Sequence, residues 1–229
     1  MLQKNSFLGT IPSYFFLVCC MLLPALLSAH PMGDSLSKLS RSEVGGMYLR
    51  LGYTHILPLG IDHILFVLCI FLLNPKLKSV ITQATAFTVA HSITLGLAMY
   101  GVIDPPTHII EPVIALSIVF VACENMLTDK LKPSRIIIVF IFGLIHGMGF
   151  ASALTDLGLP KKEFVTALIT FNVGVELGQI TVILLAWLLV GMWFSKKPWY
   201  HKRIVFPASA VIALIALYWT IERTFFTTY

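Results

Sequence analysis

Long apolar runs separated by short polar connections dominate this sequence. They lie near residues 50–73, 79–101, 108–127, 135–155, 163–194 and 204–222, and each is long enough to cross a hydrocarbon core of about 30 Å. In that medium every backbone N–H and C=O must be satisfied inside the protein, so only helices and closed barrels persist. Unbroken apolar runs without period-two alternation specify helices. Composition agrees: with 57% hydrophobic residues, 12% charged residues and a mean hydropathy of +0.87 over 229 residues, no soluble core needs so much apolar surface. The expectation is an all-α membrane protein, a bundle of six transmembrane helices over 50–222, with sequential neighbours antiparallel because their connections are short.

The flanks read differently. Residues 1–29 carry Lys4, an apolar run from Phe7 to Leu27 and the small pair Ser28-Ala29, the pattern of a signal peptide cleaved after Ala29. Uncleaved, it adds a seventh apolar helix. Cleavage makes His30 the new N-terminus, offering an amine and an imidazole to a metal; the plainer reading is that His30-Pro31 opens a short extracytoplasmic segment, 30–49. Residues 223–229 form a C-terminal tail. Lys76 and Lys78, then Lys130, Lys132 and Arg135, then Lys196, Lys197, Lys202 and Arg203 fall in alternate connections. The positive-inside rule puts those connections in the cytoplasm and both mature termini outside a bacterial cytoplasmic (inner) membrane. The same rule explains the net charge of +5, so the partner is a lipid bilayer and no nucleic acid is implied. Cys19, Cys20, Cys69 and Cys123 show no C-x-x-C spacing, hence no disulfide framework and no structural zinc motif.

Ionisable residues inside the spans are the functional candidates, because a charged group at the bilayer centre costs roughly 2.5–3.5 kcal/mol on insertion scales. The stretch Tyr53–Phe71 holds His55, Asp62 and His63. Seven positions are about two helical turns, so His55 and Asp62 share a face if the helix continues past Pro58. His63 sits about 100° away. Further along come His91, Glu111, Glu124 with Asn125, His146 among Gly143, Gly147 and Gly149, and Asn172, Glu176 and Gln179. Most have an ordinary reading: Glu111 as a hydrated helix-end carboxylate, Glu124 as a packing group near the cytoplasmic end, His91 as a neutral histidine bonded across helices, and Asn172 and Gln179 as interhelical hydrogen bonders, a reading that does not suffice for a mid-span Glu176. Together, His55, His63, His91 and His146 with Asp62 and Glu176 come from four different spans and are expected to converge. Glu111, Glu124, Asn172 and His30 are secondary candidates. Imidazole nitrogen with carboxylate oxygen suits Ni²⁺, Co²⁺, Zn²⁺ or Fe²⁺, and ligand type alone does not choose among them.

Four segments carry a resemblance: H-I-L-P-L-G-I-D-H-I-L-F at 55–66, I-A-L-S-I-V-F-V-A-C-E-N at 114–125, F-G-L-I-H-G-M-G-F-A-S-A-L at 142–154 and F-N-V-G-V-E-L-G-Q at 171–179. In this order, over about residues 45–190, they resemble the HupE/UreJ family of small multi-span membrane proteins. That resemblance implies a nickel or cobalt permease connected with hydrogenase or urease maturation, with His55, Asp62, His63 and His146 on the metal path. The His55-to-Asp62 spacing is one residue longer than the family usually shows. His146-Gly147 is followed by Met148, Gly149 and Phe150, where members tend to carry another histidine and a glutamate.

The function expected is therefore a permease for a divalent transition metal, with the ion as substrate and no organic cofactor. An intramembrane metalloenzyme acting on a lipid or peptide bond is the alternative, against which stands the absence of H-E-x-x-H. A non-catalytic membrane accessory of metalloenzyme assembly is a third reading.

Overall fold

A computed structural model describes residues 39–151, 154 and 161–227; the signal-peptide reading and His30 fall outside them. The described residues form helices and turns only: α1 (Arg41–Ile56), α2 (Ile61–Leu73), α3 (Leu77–Met99), α4 (Thr107–Leu127), α5 (Arg135–Gly149), α6 (Phe164–Ala186) and α7 (Phe206–Phe225). α6 runs on through a wide π-helical turn, Trp187–Gly191, to Phe194, and a second such turn, His201–Val205, leads into α7. Among the described residues, four helices are long and apolar enough to cross a membrane: Leu77–Met99, Thr107–Leu127, Phe164–Phe194 and His201–Phe225. The chain is an integral membrane protein.

The first expected span is broken. Pro58 disfavours helical backbone at the residue before it, and Leu57 is extended (φ −120°, ψ 116°). The helix therefore stops at Ile56 and restarts at Ile61, bent by 67°. α1, of 16 residues, and α2, of 13, are about 24 and 20 Å long, so only the pair together makes a fifth candidate span. The fourth expected span is short as well: α5 has 15 residues, about 22 Å. At its start α1 is held by a capping box: Ser40 Oγ accepts from the Glu43 N–H and Glu43 Oε2 accepts from the Ser40 N–H at 2.8 Å.

α2 is the strut of the bundle. It touches α1, α3, α4, α6 and α7, and His63, Phe66, Val67 and Cys69–Leu73 are buried. Around it the others pair off, α1 on α6, α3 on α5 and α4 on α7. Glycines set how closely. A Cβ at Gly52 would collide with the Phe171 carbonyl and one at Gly174 with the Leu49 carbonyl, so α1 and α6 meet backbone to backbone. Gly143 lies against Phe87 and Gly147 against His91 in the same way. Both sets advance turn for turn, so α1 runs parallel to α6 and α3 parallel to α5. α7 is mostly turned outward: only 22% of its most apolar window is buried, and Val211, Leu214 and Tyr218 form a face for lipid.

Away from the histidines, where α2 and α4 end and α5 and α7 begin, lies a polar knot. Arg135, expected in a cytoplasmic connection, is 1% exposed. Its guanidinium donates to Glu124 Oε2 at 2.9 Å, Asn125 Oδ1 at 2.9 Å and the Cys69 carbonyl at 3.2 Å. Asn125 Nδ2 donates to the same carbonyl at 2.8 Å, and His201 Nε2 donates to the Asn125 and Thr128 carbonyls at 2.9 and 3.1 Å. Glu124 is thus the counter-ion of Arg135, and Arg135 ties α2, α4 and α5 together. Arg135→Met should destabilise the protein by about 3–5 kcal/mol by stranding that carboxylate, and adding Glu124→Gln should recover much of the loss; melting of the detergent-solubilised protein measures both. Gly174→Val, forcing α1 off α6, should cost about 1–3 kcal/mol in the same assay.

Candidate metal centre

The break between α1 and α2 builds the centre. His55 is in the last turn of α1 and His63 in the first of α2, so the bend folds His63 back on His55, with ring centroids 4.7 Å apart. α3 contributes His91, 5.9 Å from His63 and 6.2 Å from His55. α5 contributes His146, 5.1 Å from His63. His63 is the hub of the group. Ligand-capable nitrogens of His55, His63 and His91 lie within 4.8 Å of one another. Around a single ion with metal–nitrogen bonds near 2.0–2.1 Å such nitrogens stand about 3.4 Å apart, a contraction that ring rotation supplies.

Neighbouring hydrogen bonds select which nitrogen carries the proton. Asn172 gives its Nδ2 to the Leu168 carbonyl at 2.8 Å and so presents Oδ1, an acceptor, to His91 Nδ1 at 3.2 Å. His91 therefore bears its proton on Nδ1 and turns a lone pair out at Nε2. Ser117 spends its hydroxyl proton on the Ile114 carbonyl at 2.6 Å, so its oxygen accepts from His146 Nε2 at 3.0 Å and leaves the lone pair on Nδ1. Both lone-pair nitrogens, and Nε2 of His55 and of His63, are buried without a hydrogen-bond partner. Orienting groups of this sort commonly fix the tautomer of a metal-ligating histidine.

Aromatic rings wall the chamber. Phe87 and Phe66 close it beneath His146 at 4.9 and 5.4 Å, while Phe150 lies 3.9 Å from His55 and stacks on Phe171. On the other side a cavity of about 540 Å³ leads from His55, His63 and His146 to the surface, opening where α2 and α4 begin and α7 ends. Asp62, Glu111, Trp219 and Arg223 form its rim.

The carboxylates stand apart from the imidazole group. With the helix broken, His55 and Asp62 do not share a face: Asp62 turns to the rim, where Arg223 Nη2 donates to its two oxygens at 3.1 and 2.9 Å. Glu111 Oε2 is 3.3 Å from Arg223 Nη1. Glu176, one turn beyond Asn172, accepts from Thr85 Oγ1 at 2.6 Å on the seam between α3 and α6, and its other oxygen is buried without a partner. Glu124 is at the far end with Arg135. Of the sequence candidates, the structure brings together His55, His63, His91 and His146, with Asn172 behind His91. Arg223, Ser117 and Phe150 are additions; the sequence signal for Arg223 was only a cation directly following an apolar span.

Buried, uncharged nitrogen donors from four helices favour a borderline divalent transition metal over Mg²⁺ or Ca²⁺, which want oxygen. Among known proteins, no curated protein and no solved structure matches the chain. The family described as HupE / UreJ protein matches residues 34–223. Across most of its length, therefore, the chain belongs to the HupE/UreJ family.

Proposed function

We propose that the protein is a permease for a divalent transition metal, nickel or cobalt in kind, with His55, His63, His91 and His146 as its intramembrane binding group. The observation that carries this reading is the set of buried, unpartnered nitrogens on these four rings, with ligand-capable nitrogens of His55, His63 and His91 within 4.8 Å of one another, beside an open cavity. The association of the HupE/UreJ family with nickel/cobalt transport or accessory function supports the choice of metal. In this reading the bent pair α1–α2 and the short α5 complete six crossings. The basic connections face the cytoplasm, and the cavity opens outward.

The ion leaves water at the acidic rim, exchanges hydration for imidazole nitrogen at His63 and its neighbours, and is stopped by Phe66 and Phe87. Release on the other side requires those rings and α2 to repack, after which the knot around Arg135 lies between the ion and the cytoplasm. A divalent ion moving inward gains about 4.6 kcal/mol per 100 mV of membrane potential, at about 2.3 per charge, so no ATPase domain is needed. Multi-site, incomplete ligation keeps binding weak enough for release.

Titration calorimetry of purified protein with Ni²⁺, Co²⁺, Zn²⁺ and Fe²⁺ tests this, alongside uptake by cells expressing it. His63→Ala should weaken binding by about 100-fold, two hydrogen-bond-scale ligand interactions or more, and abolish uptake. His201→Ala, at the far end, should leave affinity within about twofold, since it offers the ion no ligand. Wild-type protein that binds none of the four metals, or that holds one zinc and hydrolyses a lipid or peptide, would overturn the reading.

A further inference from the structure

The rim of the cavity holds a cation of the protein's own. Arg223, near the end of α7, reaches both Asp62 oxygens through Nη2 at 3.1 and 2.9 Å and Glu111 Oε2 through Nη1 at 3.3 Å. It also donates to the Glu111 carbonyl at 3.3 Å and lies 5.5 Å from the Trp219 ring. Its side chain is 19% exposed, that of Asp62 21% and that of Glu111 30%. All three line the cavity that exposes His55, His63 and His146. Beyond them, His55 Nε2, His63 Nε2 and His146 Nδ1 are buried without a hydrogen-bond partner.

We infer that Arg223 is a tethered latch: its guanidinium occupies the Asp62–Glu111 carboxylate pair as a stand-in for the permeating cation, and an ion reaching the histidines must displace it. This rests on the permease reading above. With Arg223 in place, two carboxylates and one guanidinium leave the rim a net charge of −1, enough to attract a divalent cation but too little to trap it. Swung aside, the guanidinium leaves a carboxylate pair with four oxygens beside the imidazoles, a site that discriminates by charge because a monovalent ion gains half as much there. The latch also couples ion binding to the outer end of α7: at the rim Arg223 bonds α7 to both Asp62 on α2 and Glu111 on α4, and displacing it removes those bonds.

A latch and a merely structural bridge differ in the sign of single substitutions. If Arg223 only braces the helices, Asp62→Asn and Arg223→Gln break the same bridge and change Ni²⁺ affinity in the same direction. If it is a latch, Arg223→Gln bares the carboxylates and tightens Ni²⁺ binding to the purified full-length protein by about tenfold, whereas Asp62→Asn leaves the guanidinium balanced by Glu111 alone, takes away the rim's net negative charge and weakens binding by about tenfold, the scale of one partly screened charge at this range. The double variant, with Glu111 alone, should return to within about threefold of wild type. Arg223→Lys, which keeps the charge but loses the fork, should fall between wild type and Arg223→Gln and serves where the glutamine variant does not fold. Equal signs for the two single variants, or a glutamine or lysine variant with wild-type affinity, overturn the latch while leaving binding by the histidines intact. Wild-type protein that binds no Ni²⁺ overturns the permease reading, and the latch with it.

Discussion

The interruption between Ile56 and Ile61 is the constraint on which the site depends. A continuous helix through this stretch would present His55 and Asp62 on one face and hold His63 off to the side. Pro58 ends α1 instead, and the chain re-enters as α2 at 67°, so that His63 meets His55 and Asp62 is left at the surface of the cavity. Breaking a helix inside a membrane exposes backbone groups that lipid cannot satisfy. Here they are paired locally, with the Gly60 N–H on the Ile56 carbonyl and the Leu59 N–H on the Thr54 carbonyl. Broken helices at membrane depth are tolerated where they line a cavity, and this one does.

Close packing then carries the break's effect through the bundle. Because Gly52, Gly174, Gly143 and Gly147 let parallel helices touch through their backbones, His91 and His146 are brought in against His63 with no space for intervening side chains. The donors come from four helices, and two of them are oriented by a neighbour that sequence order keeps remote: His91 by Asn172 on α6 and His146 by Ser117 on α4. Charge is handled separately. Among the described residues, the ligand atoms that lie within 4.8 Å of one another are imidazole nitrogens, and ion pairs sit at the two ends, Asp62–Arg223–Glu111 at one and Glu124–Arg135 at the other. Buried, unpaired charge is the costlier arrangement in a low-dielectric interior; neutral donors hold the chamber, and the exception is Glu176, half-buried on the α3–α6 seam with the Thr85 hydroxyl on one oxygen.

Much of this was legible from residues alone. The histidines stand out because a polar group in an apolar run has few tolerable surroundings, and the glycines beside His146 announce a helix contact. The acids were harder. Asp62 and Glu176 look alike as mid-span carboxylates, but one is answered by an arginine 161 positions away and the other by a threonine hydroxyl on a neighbouring helix. Arg135 reads as a connection residue by hydropathy, since its first turn follows Pro133-Ser134, and only packing shows that its side chain turns inward to Glu124 and Asn125.

What the sequence by itself determined is residence in a bilayer, helical structure and the identity of the donor atoms. These follow from local properties, the length of each apolar run and the demand that its backbone bond to itself. Which donors meet was decided by the tertiary structure. Facing depends on where a helix breaks and how closely its neighbours approach, and neither the 67° turn after Ile56 nor the rotation of α7 that brings Arg223 to Asp62 is a property of any single segment.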